Sequence, residues 1–171
     1  MRSLMFMPEL AQLVFEGKKT ETRRPTQPMA PTDRLDAFQP DETFYMRERF
    51  ALKAMYNTQS PNDAVTMHRE CGRGRKPDVF YKGAGELPSG ERWGRWRPAI
   101  HMPELLTRAR LLVLEHRREA LHLIDDEGAQ REGFADRDAF MDAWCRVYGR
   151  ASWLANRTVH VIRFRKLGTG T

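Results

Sequence analysis

The run Val159-His160-Val161-Ile162-Arg163-Phe164 constrains the fold more than any other segment. It is short, β-branched and apolar at nearly every position, so it predicts a strand buried on both faces. A chain with such a strand needs a layered core. Its 171 residues can build one domain around that core and are too few for two comfortable ones. The expectation is therefore one domain over 1–171.

The remaining segments supply the layers. Arg2 to Met7 reads as a short strand with Leu4 and Phe6 on one face. Pro8 suits the first turn of a helix, where its missing N–H costs nothing. Leu10, Leu13 and Val14 recur at helical spacing through Phe15, and Gly17 ends the helix. Thr20 to Arg24 reads as extended, followed by a proline-rich loop over 25–40. Thr43 to Phe50 predicts one strand, with Phe44, Met46, Glu48 and Phe50 on a common face. From Ala51 to Pro98 the pattern weakens, and only Val79 to Lys82 suggests a strand. A long, partly ordered insertion or flap is expected over 51–98. Arg108 to His116 predicts another strand. Ile124 to Glu132 predicts a helix capped by Asp125 and closed by Gly133. Asp136 to Tyr148 predicts a second, capped by Asp136 and ended by Gly149, with Phe140, Trp144 and Val147 as its apolar stripe. Strands joined by loops rather than by regular crossover helices argue against a doubly wound sheet. The expected class is α+β, a small mixed β-barrel flanked by helices.

The net charge of +6 and a sequence pI near 9.7 favour nucleic acids, nucleotides or other anions as partners. No apolar run reaches the length of a membrane span. Pro8 cuts short the N-terminal apolar stretch, which predicts no secretory signal. A cytoplasmic monomer with no membrane partner is expected. Cys71 and Cys145 predict free thiols. His68 and Cys71 have ligand-like spacing, but no second pair completes a zinc site, so no metal and no cofactor are expected.

Chemistry concentrates behind Gly17, in Lys18-Lys19-Thr20-Glu21-Thr22-Arg23-Arg24. Cation, hydroxyl and guanidinium so closely spaced can bind an anion or nucleobase, or attack a carbonyl. Arg23 and Arg24 suit phosphate or a base plane. Glu48, on an apolar face, needs an arginine partner (Arg24 is a candidate) or reads a base edge. Trp93 and Trp96 interleave with arginines, a pattern that suits stacking on unpaired bases. Packing in the core is the alternative, and it is favoured for Trp96. Arg69, Arg73, Arg75 and Lys76 form a basic stretch that can attract nucleic acid or simply be solvated. His160 reads as a core histidine.

Taken together, several pieces resemble the ASCH domains, especially the phage and prophage members. They are Phe15-Glu16-Gly17-Lys18-Lys19-Thr20-Glu21-Thr22-Arg23-Arg24, Tyr45-Met46-Arg47-Glu48, Trp96-Arg97-Pro98-Ala99-Ile100-His101-Met102-Pro103, Asp126-Glu127-Gly128-Ala129-Gln130-Arg131-Glu132-Gly133 and the closing Val159 to Phe164. The resemblance implies a PUA-like barrel. Family members are described as RNA-binding or RNA-modification modules, and small ones remove acyl groups from N(4)-acetylcytidine. The catalytic positions it implies here are Lys19, Thr22 and Glu132; Arg23, Arg24, Glu48 and Trp93, read from their own chemistry, are expected to place the nucleoside. Lys19 would act as the base for Thr22, or stay charged and steady an oxyanion while Glu132 activates water. An ordinary Lys19–Glu132 ion pair is the bland alternative. A non-enzymatic RNA-binding module is the alternative function. Ribonuclease action lacks an identifiable acid–base pair.

Overall fold

The computed structural model describes residues 1–26 and 34–168; part of the loop expected over 25–40 lies outside them. In chain order the elements are β1 (Arg2–Met5), α1 (Pro8–Phe15), β2 (Glu21–Pro25), β3 (Thr43–Arg47), β4 (Phe50–Leu52), α2 (Pro61–Glu70), β5 (Val79–Tyr81), β6 (Arg110–Ala120), α3 (Asp126–Arg131), α4 (Arg137–Tyr148), α5 (Arg150–Leu154) and β7 (Thr158–Lys166). The class is α+β. The chain divides into two compact units. Among described residues, unit 1 comprises 1–15, 44–110 and Gly168, and unit 2 comprises 16–26, 34–43 and 111–167.

In unit 1, β1 lies parallel to β3 with Leu4 opposite Met46, and β4 pairs antiparallel with β5. Helix α1 spans the residues read for it. The expected single strand over Thr43–Phe50 is instead broken at Glu48 and Arg49. The stretch 51–98 also departs from expectation. It carries the ten-residue helix α2, and Phe50, Leu52, Tyr56, Ala64, Val65, Met102 and Leu106 form a core with it. Helix α2 starts with a proper cap: Ser60 Oγ accepts from the Asp63 amide at 3.2 Å, and Pro61 follows. Only Pro61, Ala64 and Val65 are buried along it, too thin a stripe to stand out in the sequence.

In unit 2, β7 runs between β6 and β2, antiparallel to both. Four consecutive residues, Val159 to Ile162, are buried, as the apolar run predicted. Strand β6 runs further than expected, to Ala120, with a register shift between Val113 and Glu115. Asp125 and Asp136 cap α3 and α4 by accepting from the Gly128 and Ala139 amides. Leu121, Ile124, Ala129, Phe140, Trp144, Trp153, Val159 and Val161 form the core. Val147 does not join the stripe of Phe140 and Trp144; it is 53% exposed. Gly149, with φ +84°, turns the chain into α5, which the sequence did not suggest.

Candidate functional site

Strand β2 is an outer strand of the unit 2 sheet. Phe164 donates its amide to the Thr20 carbonyl, so the pairs continuing that register, Thr22–Ile162 and Arg24–His160, face β7. The Glu21 carbonyl and the Arg23 amide therefore point away from the sheet. Two side chains complete this edge. Lys19 Nζ donates to the Glu21 carbonyl at 2.8 Å. Glu132 Oε1 accepts from the Arg23 amide. Lys19 and Glu132 then join each other, the ammonium donating to Oε2 and, at 2.8 Å, to the Glu132 carbonyl.

Lys19 is 1% exposed and Glu132 4%, so this is a dry ion pair joining positions 113 residues apart. Three acceptors surround Nζ, which matches the three protons of an ammonium. Burial nonetheless holds the Lys19 pKa below its ordinary value of 10.5, and Glu132 only partly offsets this. Helix α3 delivers Glu132 as its C-terminal cap residue. Gly128 keeps this approach uncrowded: a Cβ there would stand 3.2 Å from Arg23 Nη2 and 3.1 Å from Asp125 Oδ1.

Thr22 is buried, at 3% exposure. Its hydroxyl makes no hydrogen bond to Lys19 or Glu132 among the described residues. Strand alternation sets Thr22 on the face opposite Glu21 and Arg23. The structure thus joins two of the three predicted catalytic residues directly, and keeps the third on the same strand without a bond to them.

Arg23 is committed internally. Nη1 donates to Glu21 Oε1 at 2.6 Å and Nη2 to Glu119 Oε1 at 2.8 Å. Glu21, fully buried, also accepts from Arg131 Nε at 3.4 Å. Sequence reading missed Glu21 and Glu119. The signal for Glu21 was its two-residue spacing from Arg23 on a strand, which places both on one face. Arg24 is half-buried and stands opposite His160.

Glu48 and Trp93 belong to unit 1. Glu48 is held by Arg108, with Nε on Oε1 at 2.7 Å and Nη2 on Oε2 at 2.9 Å. The arginine partner expected for it exists, but Arg108 was not singled out. The Trp93 ring lies 4.1 Å from Lys53 Nζ and edge-on to Phe80 at 5.5 Å. Its buried indole N–H has no hydrogen-bond partner among the described residues. Trp96 also packs near Phe80, while Arg97 is buried and donates to the Gln59 and Tyr56 carbonyls rather than facing water. Arg69, Arg73, Arg75 and Lys76 are exposed. His68 bonds the Tyr56 hydroxyl through Nδ1 at 2.8 Å. No helix among the described residues is long and apolar enough to cross a membrane.

Comparison with models of protein families, with curated proteins and with solved structures finds no match.

Proposed function

We propose that the chain is an ASCH-type amidohydrolase that removes the acyl group from N(4)-acylated cytosine nucleosides, with Lys19 and Glu132 as its proton-handling pair. The PUA-like barrel belongs to the same proposal. One observation carries the reading: an ammonium and a carboxylate, both dry, meet at the edge of the strand that carries buried Thr22. A lysine depressed by burial can give its proton to Glu132 Oε2 and become an amine. That amine takes the Thr22 hydroxyl proton as Oγ attacks the acyl carbon. The C–N bond breaks, the cytosine amine leaves with a proton, and water then hydrolyses the threonine ester. In the second version water attacks directly, Glu132 takes its proton, and Lys19 stays charged against the oxyanion. Three filled hydrogen bonds on Nζ at rest support the second version.

Arg23 is a positioning residue here, because its amide holds Glu132 Oε1 and its guanidinium is taken by glutamates. Arg24 keeps the role of meeting the base or sugar in this reading.

The test is release of cytidine from N(4)-acetylcytidine by the purified protein. Lys19→Ala and Glu132→Gln should each lower kcat/KM at least about a thousandfold, the scale at which charge-stabilising groups act. Thr22→Ala separates the versions: it abolishes turnover in the first and leaves most of it in the second. Folded protein with no turnover from mild acid to mild base would overturn the proposal.

The RNA-binding reading has its own observation, the exposed run Arg69, Arg73, Arg75 and Lys76. It predicts salt-dependent binding of single-stranded RNA that weakens when these four are neutralised and ignores Lys19.

A further inference from the structure

On the sheet face opposite Glu21 and Arg23, two imidazoles meet a carboxylate. His116 of β6 pairs with Ile162, and Arg118 with His160, so the two histidines are diagonal neighbours on adjacent strands. His116 Nε2 lies 2.8 Å from His160 Nδ1, and the rings stack with centroids 5.1 Å apart. Asp36, on the turn Arg34–Ala37, brings Oδ1 to 3.9 Å from His160 Nδ1. One donor atom from each of the three lies within 4.8 Å of the others. His160 is fully buried, His116 half-buried and Asp36 exposed, so the cluster opens to solvent on the carboxylate side.

We propose that Asp36, His116 and His160 form a binding site for one divalent first-row transition-metal ion. The site is independent of the Lys19–Glu132 chemistry. Imidazole suits zinc, iron, cobalt, nickel and copper, whereas magnesium and calcium demand oxygen. Spacing narrows the geometry. Two nitrogens about 2.1 Å from an ion stand about 3.0 Å apart at right angles and about 3.4 Å apart in a tetrahedron. The observed 2.8 Å is close to the right-angled separation, and each ring must turn by about 45° so that both lone pairs converge on the ion. Asp36 must close by about 1 Å from its 3.9 Å separation, and an exposed side chain can do this. Two histidines and a carboxylate then occupy one face of the ion and leave positions for water or substrate.

The surroundings act in both directions. A backbone hydrogen bond with Phe38 fixes the His116 ring, the kind of outer contact that orients ligating imidazoles. One of the two facing nitrogens carries a proton, and that ring takes its other tautomer on binding. Opposing the ion, Arg118 Nη2 donates to both Asp36 oxygens at 2.5 and 2.6 Å, and Arg24 faces His160 across the β2–β7 pairing. These cations weaken an oxygen-only site most, so the histidines must supply most of the affinity.

The test uses the full chain, stripped with a chelator and titrated with Co²⁺, read by visible absorption and calorimetry. One Co²⁺ per chain is expected, displaced by Zn²⁺, with ligand-field bands in the visible. His116→Gln should weaken binding at least about tenfold, and Asp36→Asn about threefold or more. Circular dichroism establishes that each variant is folded. Should His116→Gln not fold, Asp36→Asn, an exposed change, carries the test. Absence of binding at millimolar Co²⁺, or wild-type affinity in folded His116→Gln or Asp36→Asn, overturns the site.

Discussion

Unit 1 pairs buried Glu48 with Arg108 and unit 2 pairs buried Glu132 with Lys19, so the two carboxylates are held by different cations. In unit 1, Arg108 grips Glu48 with two parallel bonds, reaches Gln12 Oε1 at 2.9 Å, and lies 4.5 Å from the Phe15 ring and 4.8 Å from that of Tyr81. In unit 2, Lys19 meets Glu132 and two backbone carbonyls. Burial pushes Glu48 up and Lys19 down, each towards neutrality. The escape routes differ. A guanidinium does not lose its proton in a protein, whereas an ammonium does. Unit 1 therefore holds a fixed strut, and unit 2 holds a pair through which a proton can move. The identity of the cation, not burial alone, separates the two pairs.

The largest expected effects come from orphaning each cation. Glu48→Ala leaves a buried guanidinium that cannot neutralise, and should cost about 4–5 kcal/mol in urea unfolding. Glu132→Ala leaves an amine that can shed its proton and still donate to the Glu21 carbonyl, so about 3 kcal/mol is expected. If Glu132→Ala proves as costly as Glu48→Ala, Lys19 does not deprotonate and the contrast fails. A smaller effect sharpens the comparison. Arg108→Lys keeps the charge but loses the planar fork, and should cost about 1–2 kcal/mol.

These pairs also show how much the sequence disclosed. The Lys19–Glu132 meeting was foreseen through the ASCH resemblance, because both residues lie in motif-like runs beside glycines. Glu48 was expected to need an arginine, since a charge on an apolar strand face is costly alone. Arg108 could not be named, because nothing local links positions 60 residues apart. Helix starts at Pro8, Asp125 and Asp136 were legible because caps are local chemistry. Helix α2 was missed because three buried residues among ten make no clear period. The His116–His160 contact depends on strand register, which no single segment encodes.

pH separates the pairs again, with opposite signs. Between its folded value and 10.5, Lys19 is neutral in the folded chain and protonated in the unfolded one. The unfolded state then binds more protons, so its contribution to stability rises with pH there, by at most about 1.4 kcal/mol per pH unit. For Glu48, between 4.5 and its raised folded value, the folded chain holds the extra proton, so its contribution falls as pH rises. Stability of wild type minus Lys19→Met should slope upward with pH in the window that ends at 10.5. Wild type minus Glu48→Gln should slope downward with pH in the window that starts at 4.5. Equal slopes in wild type and variant would remove the titration from that residue.

The smallest expected effect concerns how each unit covers its helices. Helix α4 buries Phe140 and Trp144, which pack with centroids 5.9 Å apart, and Trp144 also meets Tyr148 at 4.4 Å. Val147 lies one position before that tyrosine and three after Trp144, yet is 53% exposed. Helical spacing alone would put it on the buried stripe, but the chain leaves α4 at Gly149 and the last turn has little to pack on. Val147→Ser therefore removes little apolar area from the core and should change stability by less than about 0.5 kcal/mol. In unit 1 the comparable site is Val65 of α2, 8% exposed and part of a core cluster. Val65→Ser buries a hydroxyl and should cost about 1–3 kcal/mol more than Val147→Ser by urea unfolding. Equal losses at the two valines would mean that the end of α4 is covered in solution.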